Sequence, residues 1–492
     1  MTLGFSDYLS LMGAESLLTG LVMVMVLLGL YLKNKNIQGY LALAGLAAAL
    51  FLTIGADRNA GPIFFGTVEV DPLSQFFKVV FISVSLIVVL AGLSRYKDSP
   101  AQDEFYILLL LATIGMMVVS SAVDLLTLWV GFELASLSTY AMAAFDRDRK
   151  NLEAAMKYFI FGSVSSATML FGFSLLYGLT GTTKIAEVAA ASMEMMGPAT
   201  LVALLFVVAG FGFKMALVPF HMWAPDTYEG SPTIVTAFLA AGSKKMGFVA
   251  AFKVIFIALL ALRMEWFMAF AVLVALTMTL GNIVAIWQNS VKRMLAYSSV
   301  AYAGYIAIAF VVVGAVNNGG FDIDVALGGI AGSLMLILGH AFSKAGAFIA
   351  VAVVGYMVLR EGKENSDDIE HYAGLGRRAP ITAFCMLIFL FSLSGIPPMA
   401  VFWGKLMVFM SAIHAGLVWL AVLAVLNSAL SLAYYLRVIM YMYMKEPAGE
   451  KILEPRGYVL AMVVALVAVF YIGLFPQAFI DFAESAAAVL LH

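Results

Sequence analysis

Long apolar stretches separated by short polar segments cover almost the whole chain. A helix that crosses a bilayer needs about 20 apolar residues, and fourteen stretches come near that length. We therefore predict an all-α polytopic membrane protein with about 14 transmembrane helices. The predicted spans are 15–32, 38–55, 72–94, 105–121, 124–144, 152–178, 199–220, 232–257, 265–287, 295–315, 326–358, 380–412, 415–443 and 457–475.

The spans divide the chain into four segments. They are 1–121 with helices one to four, 124–257 with helices five to eight, 265–443 with helices nine to thirteen, and 457–492 with the last helix and a C-terminal segment. Residues 476–492 are amphipathic and acidic, which predicts an interfacial helix rather than a fifteenth span. The polar stretch 360–378 carries charges of both signs and predicts a solvated loop with part of it as a surface helix.

Basic residues are distributed unevenly between the loops. If both termini lie on one side, the loops on the opposite side carry sixteen Lys and Arg, whereas the side of the termini carries Arg58, Lys184 and Arg263. Because loops rich in Lys and Arg stay on the cytoplasmic side, both termini are predicted on the outer face. A prokaryotic cell membrane is the expected location, with an organellar energy-transducing membrane as the alternative.

Composition supports this reading and excludes several functions. Of 492 residues, 63% are apolar and 12% charged, against about 25% charged in soluble domains. A net charge of −2 without a long basic run excludes nucleic-acid binding. A single cysteine, Cys385, excludes an internal disulfide, an iron–sulfur cluster and a thiolate zinc site. No phosphate loop, dinucleotide motif or haem or metal ligand set is found, so no cofactor or metal is expected in this chain.

Five ionisable residues are interpreted as lying deep in the membrane: Glu133, Lys244 and Lys344 are nine or more positions from both ends of their spans, and Lys214 and Lys405 are six and seven positions from the nearer end. Each charge at that depth costs about 2.5–3.5 kcal/mol. One acid cannot neutralise four lysines, and burial favours the neutral form of a lysine. These residues are therefore predicted to carry protons. Nearer the span ends, long side chains are predicted to snorkel to the lipid headgroups; these are Lys78, Lys157, Lys253 and Arg437.

Prolines and glycines interrupt two of the spans. Pro219 follows Lys214 in span seven, and the run Gly395–Pro398 precedes Lys405 in span twelve. Both helices should break there, because proline removes a backbone donor. Broken helices in both halves of a transporter are typical of inverted repeats with an ion site. Spans 4–8 and 9–13 are therefore predicted to form two inverted five-helix repeats with discontinuous helices 7 and 12.

Histidine adds a further candidate. His340 and Lys344 are four residues apart and share one face of span eleven. His340 is either a packing residue or a proton relay, since an imidazole gains and loses protons near neutral pH. Lys245 points about 100° round the helix from Lys244, so one of the two at most should face the same axis, and we choose Lys244.

The segment PFHMWAPDTYEGSP (219–232) allows two interpretations. It contains His221, Asp226 and Glu229 together with three prolines. Proline, aspartate and glycine favour turns, so the first interpretation is a rigid turn. The second is a mouth for proton uptake.

Several runs resemble a known family. They include DLLTLWVGFELASLSTYAM (124–142), KYFIFGSVSSA (157–167), LLYGLTG (175–181) and SLSGIPPMAVFWGKLMVF (392–409). They resemble the antiporter-like membrane subunits of respiratory complex I and related dehydrogenases, from span four to span thirteen. Spans four to six are more similar to subunit N than to L or M, whereas HAFSKAGAF (340–348) is closer to L and M.

This resemblance implies roles for residues and partners. Glu133 matches the acid of the fifth helix and Lys214 its partner on the broken seventh. Lys244 matches the lysine of the eighth helix and Lys405 that of the broken twelfth. Val123 stands where relatives often have a polar residue, which leaves Asp124 without an assigned role. Flavin and iron–sulfur clusters are expected in partner subunits, and membrane partners of the L, M and K types and lipid around this chain.

The sequence therefore predicts a proton-translocating subunit of a complex I-like dehydrogenase. Electrons pass from a reduced cofactor to quinone or a similar lipid carrier in other subunits, so the chain is enzymatic only as part of the complex. The predicted proton path comprises Glu133, Lys214, Lys244, His340, Lys344 and Lys405. The alternative is an Mrp-type or self-standing cation/proton antiporter.

Overall fold

The computed structural model describes residues 11–32, 34–56, 61–192, 197–315, 322–360, 367–447, 450–451 and 453–491. These residues are mainly helical, which confirms the predicted all-α class. A short antiparallel hairpin of β1 (Pro62–Ile63) and β2 (Val68–Glu69) precedes the third helix, with Ile63 paired to Val68.

The helices are numbered in chain order. They are α1 Gly13–Tyr31, α2 Asn36–Gly55, α3 Pro72–Arg95, α4 Gln102–Ser121, α5 Leu125–Ala143, α6 Arg149–Thr180, α7 Ile185–Ser192, α8 Pro198–Met215, α9 Trp223–Gly230, α10 Thr233–Ala258, α11 Leu260–Ile286, α12 Val291–Ala315, α13 Ile323–Arg360, α14 Leu375–Arg378, α15 Pro380–Ser394, α16 Ala400–His414, α17 Val418–Met444, α18 Arg456–Leu474 and α19 Gln477–Ala488. A 3₁₀ turn, Ile369–Tyr372, precedes α14.

The predicted fourteen crossings correspond to these helices. Within the described ranges, thirteen helices are long and apolar enough to cross a membrane. The remaining predicted crossing, the twelfth in chain order, consists of two shorter apolar helices, α15 and α16. Each predicted stretch thus has a helical counterpart.

Both predicted helix breaks are present. Helix α8 ends at Met215, and Ala216 adopts a left-handed conformation with φ 55°. The chain resumes a helix at Trp223, so residues 223–230 are the short helix α9 and not a simple turn. In the twelfth crossing, Gly395 has φ 82° and ends α15, a conformation that glycine adopts without steric cost.

Equivalent helices pack in the same way in the two predicted repeats. Helices α4 and α5 pair as α11 and α12 do, and α6 and α8 pair as α13 and α16 do. Glycines bring the backbones together: a Cβ at Gly115 would lie 2.6 Å from the Ala135 nitrogen, and one at Gly281 2.6 Å from the Ala301 nitrogen. Small residues commonly permit such close approach in membranes. This recurrence agrees with two five-helix repeats.

The remaining helices surround the repeats. Helices α1 to α3 precede the first repeat, and α18 and α19 follow the second. With 12 residues, α19 is too short for a fifteenth span. It packs against α3 and α13, and the ring of its Phe482 lies 5.3 Å from that of Phe76. Of the predicted loop 360–378, residues 361–366 lie outside the described part.

Candidate functional site

Glu133 lies half-buried on α5, where it binds a neighbouring helix. The hydroxyl of Ser166 on α6 donates to Glu133 Oε1, and the indole of Trp129 donates to Ser166 Oγ at 3.0 Å. The carboxylate therefore binds one neutral donor on α6, the Ser166 hydroxyl, which itself accepts from Trp129 of α5.

Lys214 is buried in the last turn of α8, next to the helix break. Its Nζ donates to Ser136 Oγ at 3.1 Å and to the Tyr158 hydroxyl at 3.0 Å. Gly247 of α10 makes room for this side chain, since a Cβ there would lie 3.0 Å from Lys214 Cβ and Cγ. The last turn of a helix favours a cation, because its free carbonyl groups carry partial negative charge.

Glu133 and Lys214 are close in the fold without forming an ion pair. Ser136, which binds Lys214, lies one helical turn after Glu133 on α5. Among the described residues, no carboxylate oxygen lies within 4.0 Å of Lys214 Nζ. The structure therefore places Glu133 and Lys214 at one site, where each binds hydroxyl groups of neighbouring side chains.

Lys244 and Lys245 are both buried in the middle of α10. Lys244 Nζ donates to the Ser299 carbonyl oxygen of α12 at 2.7 Å. A π-helical turn, Leu239–Ser243, directly precedes this pair, and such turns are frequent at functional sites. Both side chains are buried, so burial does not distinguish them, and the choice of Lys244 stays a prediction.

His340 and Lys344 lie on one face of α13 and are fully buried. Lys344 Nζ donates to the Leu295 carbonyl oxygen at 2.8 Å and to Ser298 Oγ at 2.5 Å. Neither His340 ring nitrogen has a hydrogen-bond partner among the described residues. The ring packs 4.5 Å from that of Tyr302, and the same Tyr302 ring lies 5.3 Å from Lys405 Nζ.

Lys405 lies beside the second helix break and is buried. Its Nζ donates to the Ser394 carbonyl oxygen at 3.1 Å and to Ser428 Oγ at 2.8 Å. Ser394 is the last residue of α15, so its carbonyl is one of the free acceptors at a helix end. The ammonium also lies 5.3 Å from the Tyr302 ring and 5.2 Å from the Tyr305 ring.

The structure thus places the six predicted site residues in a polar row across both repeats, which we call the buried row: Lys214, Lys244, His340, Lys344 and Lys405 are buried, and Glu133 is half-buried. Sequence reasoning missed the hydroxyl-bearing side chains that contact them. Three lie at helical spacing on one face of α12: Ser298 accepts from Lys344 through its hydroxyl, whereas Tyr302 and Tyr305 contact Lys405 through their rings. Ser298 Oγ also lies 2.6 Å from the hydroxyl of Tyr435 on α17. The signal was the run YSSVAYAGY (297–305), in which polar residues recur every three to four positions.

Other candidates receive structural roles. Asp124 caps α5 by accepting from the Leu126 and Thr127 nitrogens at 2.9 and 3.0 Å. Cys385 is buried, as expected for a packing residue. Within the described ranges, no group of three His, Cys, Asp or Glu side chains could hold a metal ion.

The prediction of snorkelling is wrong for Lys78 and Lys253. Lys78 is buried and lies 2.7 Å from Glu15 of α1. Lys253 donates to the Ala122 carbonyl oxygen at 3.0 Å and lies 4.0 Å from Asp71. Protein groups are therefore closer than headgroups. In this cluster, burial and the neighbouring Asp71 carboxylate raise the pKa of Glu69, which lies outside the spans.

Lys157 and Arg437 are only partly exposed and also have protein partners. Lys157 Nζ lies 2.9 Å from Glu153 and 3.2 Å from Asp226. The Arg437 guanidinium donates to the Ile286 carbonyl oxygen at 3.1 Å. Their side chains extend toward helix ends as predicted, but protein groups bind them there, including Asp226 of α9 and Ile286 of α11.

Comparisons with known proteins agree with this arrangement. Residues 122–431 match the family described as NADH:quinone oxidoreductase/Mrp antiporter, TM. This chain belongs to that family. The matched segment contains all six residues of the buried row.

Relatives with known names cover almost the whole chain. F(420)H(2) dehydrogenase subunit N of Methanosarcina mazei is 51% identical, covering 96% of this chain and 97% of that protein. NADH-quinone oxidoreductase subunit N of Trichlorobacter lovleyi is 38% identical, covering 97% and 96%.

Solved structures show the same fold. A chain of respiratory complex I from Thermus thermophilus with bound aureothin is 32% identical, with a TM-score of 0.80 and coverage of 95% of this chain and 98% of that one. A chain of the Mrp complex from Dietzia sp. DQ12-45-1b has a TM-score of 0.83 at 20% identity, covering 98% of each chain. The latter likeness shows the fold alone.

Proposed function

We propose that the chain is subunit N of a complex I-like dehydrogenase and moves protons across the membrane. The observation that carries this proposal is the buried row of four lysines and one histidine, in which every lysine binds hydroxyl or carbonyl oxygens instead of a carboxylate. A lysine held this way can lose its proton without leaving an unpaired carboxylate behind. Intramembrane ionisable groups commonly mark ion pathways.

The parent complex follows from the named relatives. A 51% identical relative is a subunit of an F(420)H(2) dehydrogenase, and others are subunits of NADH-quinone oxidoreductases. The proposed partners are therefore membrane subunits of the L, M and K types, with flavin and iron–sulfur clusters in peripheral subunits. Oxidation of F420H2 and of NADH by the isolated complex would identify the donor.

The first step concerns Glu133 and Lys214. A carboxylate beside a lysine favours the protonated form, whereas a desolvated lysine without one favours the neutral form. When electron transfer in other subunits moves Glu133 toward Lys214, the lysine holds its proton. When the carboxylate returns to Ser166, the proton leaves Lys214 for the next carrier.

The later steps follow the row toward the second helix break. Lys244 receives a proton, His340 and Lys344 pass it across α13, and Lys405 takes it at the end of α15. His340 suits this position because its two ring nitrogens can accept on one side and donate on the other. Release from Lys405 occurs on the outer face, where both termini are proposed to lie.

Replacement of Lys405 tests this proposal. In the complete complex reconstituted in vesicles, Lys405→Ala and Glu133→Ala should lower the number of protons pumped per electron. Removing a positioned proton carrier typically slows transfer by about 10²-fold or more. A surface change, Glu446→Gln, serves as the control. Normal stoichiometry in both path variants would contradict the proposal.

The Mrp-type antiporter remains the second candidate by fold. Its chain in the solved complex is 20% identical to this one, whereas subunit N relatives reach 51%. Moreover, Na⁺ binding sites use clustered oxygen ligands, and the buried row contains one acid, Glu133. Copurification in mild detergent with flavin and iron–sulfur proteins separates the two candidates.

A further inference from the structure

A cleft with charged walls opens beside the first repeat, where α6, α9 and α12 approach one another. Its volume is about 220 Å³, and six charged side chains line it: Lys150, Glu153, Lys157, Asp226, Glu229 and Arg293. Arg293 binds both acids of α9, at 2.9 Å from Asp226 and 2.7 Å from Glu229. These side chains are partly exposed, so protons from solvent reach the cleft.

Tyr228 lies directly behind this cleft. It precedes Glu229 on α9, yet its side chain is fully buried. Its backbone oxygen accepts from Thr236 Oγ1 at 2.8 Å, which fixes α9 against α10. Its ring packs edge-on against Trp223 and Phe348, with centroids at 5.9 and 6.1 Å. The ring is therefore held in place on both sides.

The hydroxyl of Tyr228 faces the group that holds Lys244. It lies beside the Ser299 side chain, whose Oγ is 3.4 Å from Lys244 Nζ, and it meets the geometry of a direct hydrogen bond with no described residue. The Ser299 carbonyl oxygen accepts from Lys244 at 2.7 Å. The Ser299 side chain therefore stands between the Tyr228 hydroxyl and the ammonium group of Lys244.

Depth along α12 supports the same arrangement. Arg293, at the cleft, lies near the start of this helix, whereas Ser299 lies six residues further, roughly 9 Å deeper at 1.5 Å per residue. A tyrosine side chain extends over much of that distance. Tyr228 thus occupies the apolar step between the cleft and Lys244.

We propose that Tyr228 is the gate through which Lys244 takes up protons from the charged cleft. The hydroxyl gives its proton toward neutral Lys244 by way of the Ser299 hydroxyl and takes a replacement from the cleft, so the tyrosine ends the step neutral. This inference rests on the proposed function, and it develops the interpretation of 219–232 as a mouth for proton uptake.

The test removes one oxygen atom. Tyr228→Phe keeps the packing against Trp223 and Phe348 but deletes the hydroxyl. Tyr106→Phe is the matched control, because Tyr106 of α4 is equally buried and its hydroxyl also has no described partner. Proton pumping by the complete complex in vesicles is measured for both, with assembly checked on native gels, beside Lys244→Ala and Lys405→Ala.

We expect Tyr228→Phe to pump as slowly as Lys244→Ala, and Tyr106→Phe to pump normally. Tyr228→His should recover pumping, because an imidazole also carries protons, whereas a purely structural role would not favour histidine over phenylalanine. If Tyr228→Phe pumps normally while Lys405→Ala does not, the proposal of a Tyr228 gate is wrong and the proposed function stands. If both pump normally, the proposed function fails as well.

Discussion

At the scale of single residues, the lysines of the row share one kind of environment. Lys214, Lys344 and Lys405 each bind a hydroxyl group, and Lys244 and Lys405 also bind carbonyl oxygens. A buried charge paired with an opposite charge is strongly fixed, because separating the pair leaves an uncompensated ion. Neutral partners avoid that cost, which lets each lysine change its protonation state.

Gly395 offers a test at this scale. A Cβ at this position would lie 2.9 Å from Lys405 Cδ and 3.1 Å from its Nζ. Gly395→Ala should therefore displace the lysine from Ser394 and Ser428 and slow proton pumping by the reconstituted complex about tenfold or more, as expected for a misplaced proton carrier.

The matched control separates displacement from backbone strain. Gly416 also has a positive φ, 77°, but a Cβ there would meet no atom within 4 Å. Both substitutions carry a left-handed strain of roughly 1–2 kcal/mol. Gly416→Ala should lower the thermal unfolding midpoint while pumping continues. Equal pumping by the two variants would show that the position of Lys405 is unimportant.

At the scale of elements, the start of α5 is fixed by one acid that sequence reasoning left without a role. Asp124 caps α5, the helix that carries Glu133. Its second carboxylate oxygen accepts from the Thr183 hydroxyl, which connects α5 to the segment before α7. The helix requires a hydrogen-bond acceptor at this position, but it does not require a negative charge.

Asp124 can therefore be tested by two substitutions. Asp124→Asn keeps an acceptor for the Leu126 and Thr127 nitrogens and should pump normally. Asp124→Ala should destabilise the protein by about 1 kcal/mol, the usual cost of a lost N-cap, measured as a lower unfolding midpoint in detergent. Loss of pumping in Asp124→Asn with unchanged stability would instead make Asp124 a proton carrier.

Sequence predicted elements better than it predicted their contacts. Helix length and the breaks at Ala216 and Gly395 follow from local hydrophobicity, proline and glycine, which act within one segment. The segment 219–232, which includes helix α9, was interpreted first as a turn because proline, aspartate and glycine favour turns. The hydroxyl groups of Tyr158 and Tyr302 became visible only with helix packing, since their partners lie on other helices far away in the chain.

The prediction of snorkelling was wrong for Lys78 and Lys253 for the same physical reason. From sequence, Lys78 and Lys253 lie within reach of a membrane surface, and lipid is the default neighbour. In the fold, α1 supplies Glu15 to Lys78, and the start of α3 supplies Asp71 to Lys253. A carboxylate from another helix cannot be predicted from the distance of a lysine to its own helix end.

At the scale of the whole molecule, α1 to α3 form a unit that precedes the family match at 122–431. Two buried charge contacts hold it. Glu15 of α1 lies 2.7 Å from Lys78 of α3, and Asp71 at the start of α3 lies 4.0 Å from Lys253 of α10. The first contact joins α1 to α3, and the second joins α3 to the first repeat.

These contacts should affect stability and leave transport unchanged. Breaking a buried ion pair typically lowers the free energy of unfolding by about 3–5 kcal/mol, whereas replacing both partners with apolar residues often leaves it unchanged. Glu15→Leu and Lys78→Met alone should therefore each lower the unfolding midpoint of the complex in detergent, and the double variant should recover most of the loss. Because neither residue belongs to the lysine row, the double variant should pump at the normal rate. Additive losses in the double variant would show that the two side chains act independently, and slow pumping in a stable double variant would extend the proton path into the first three helices.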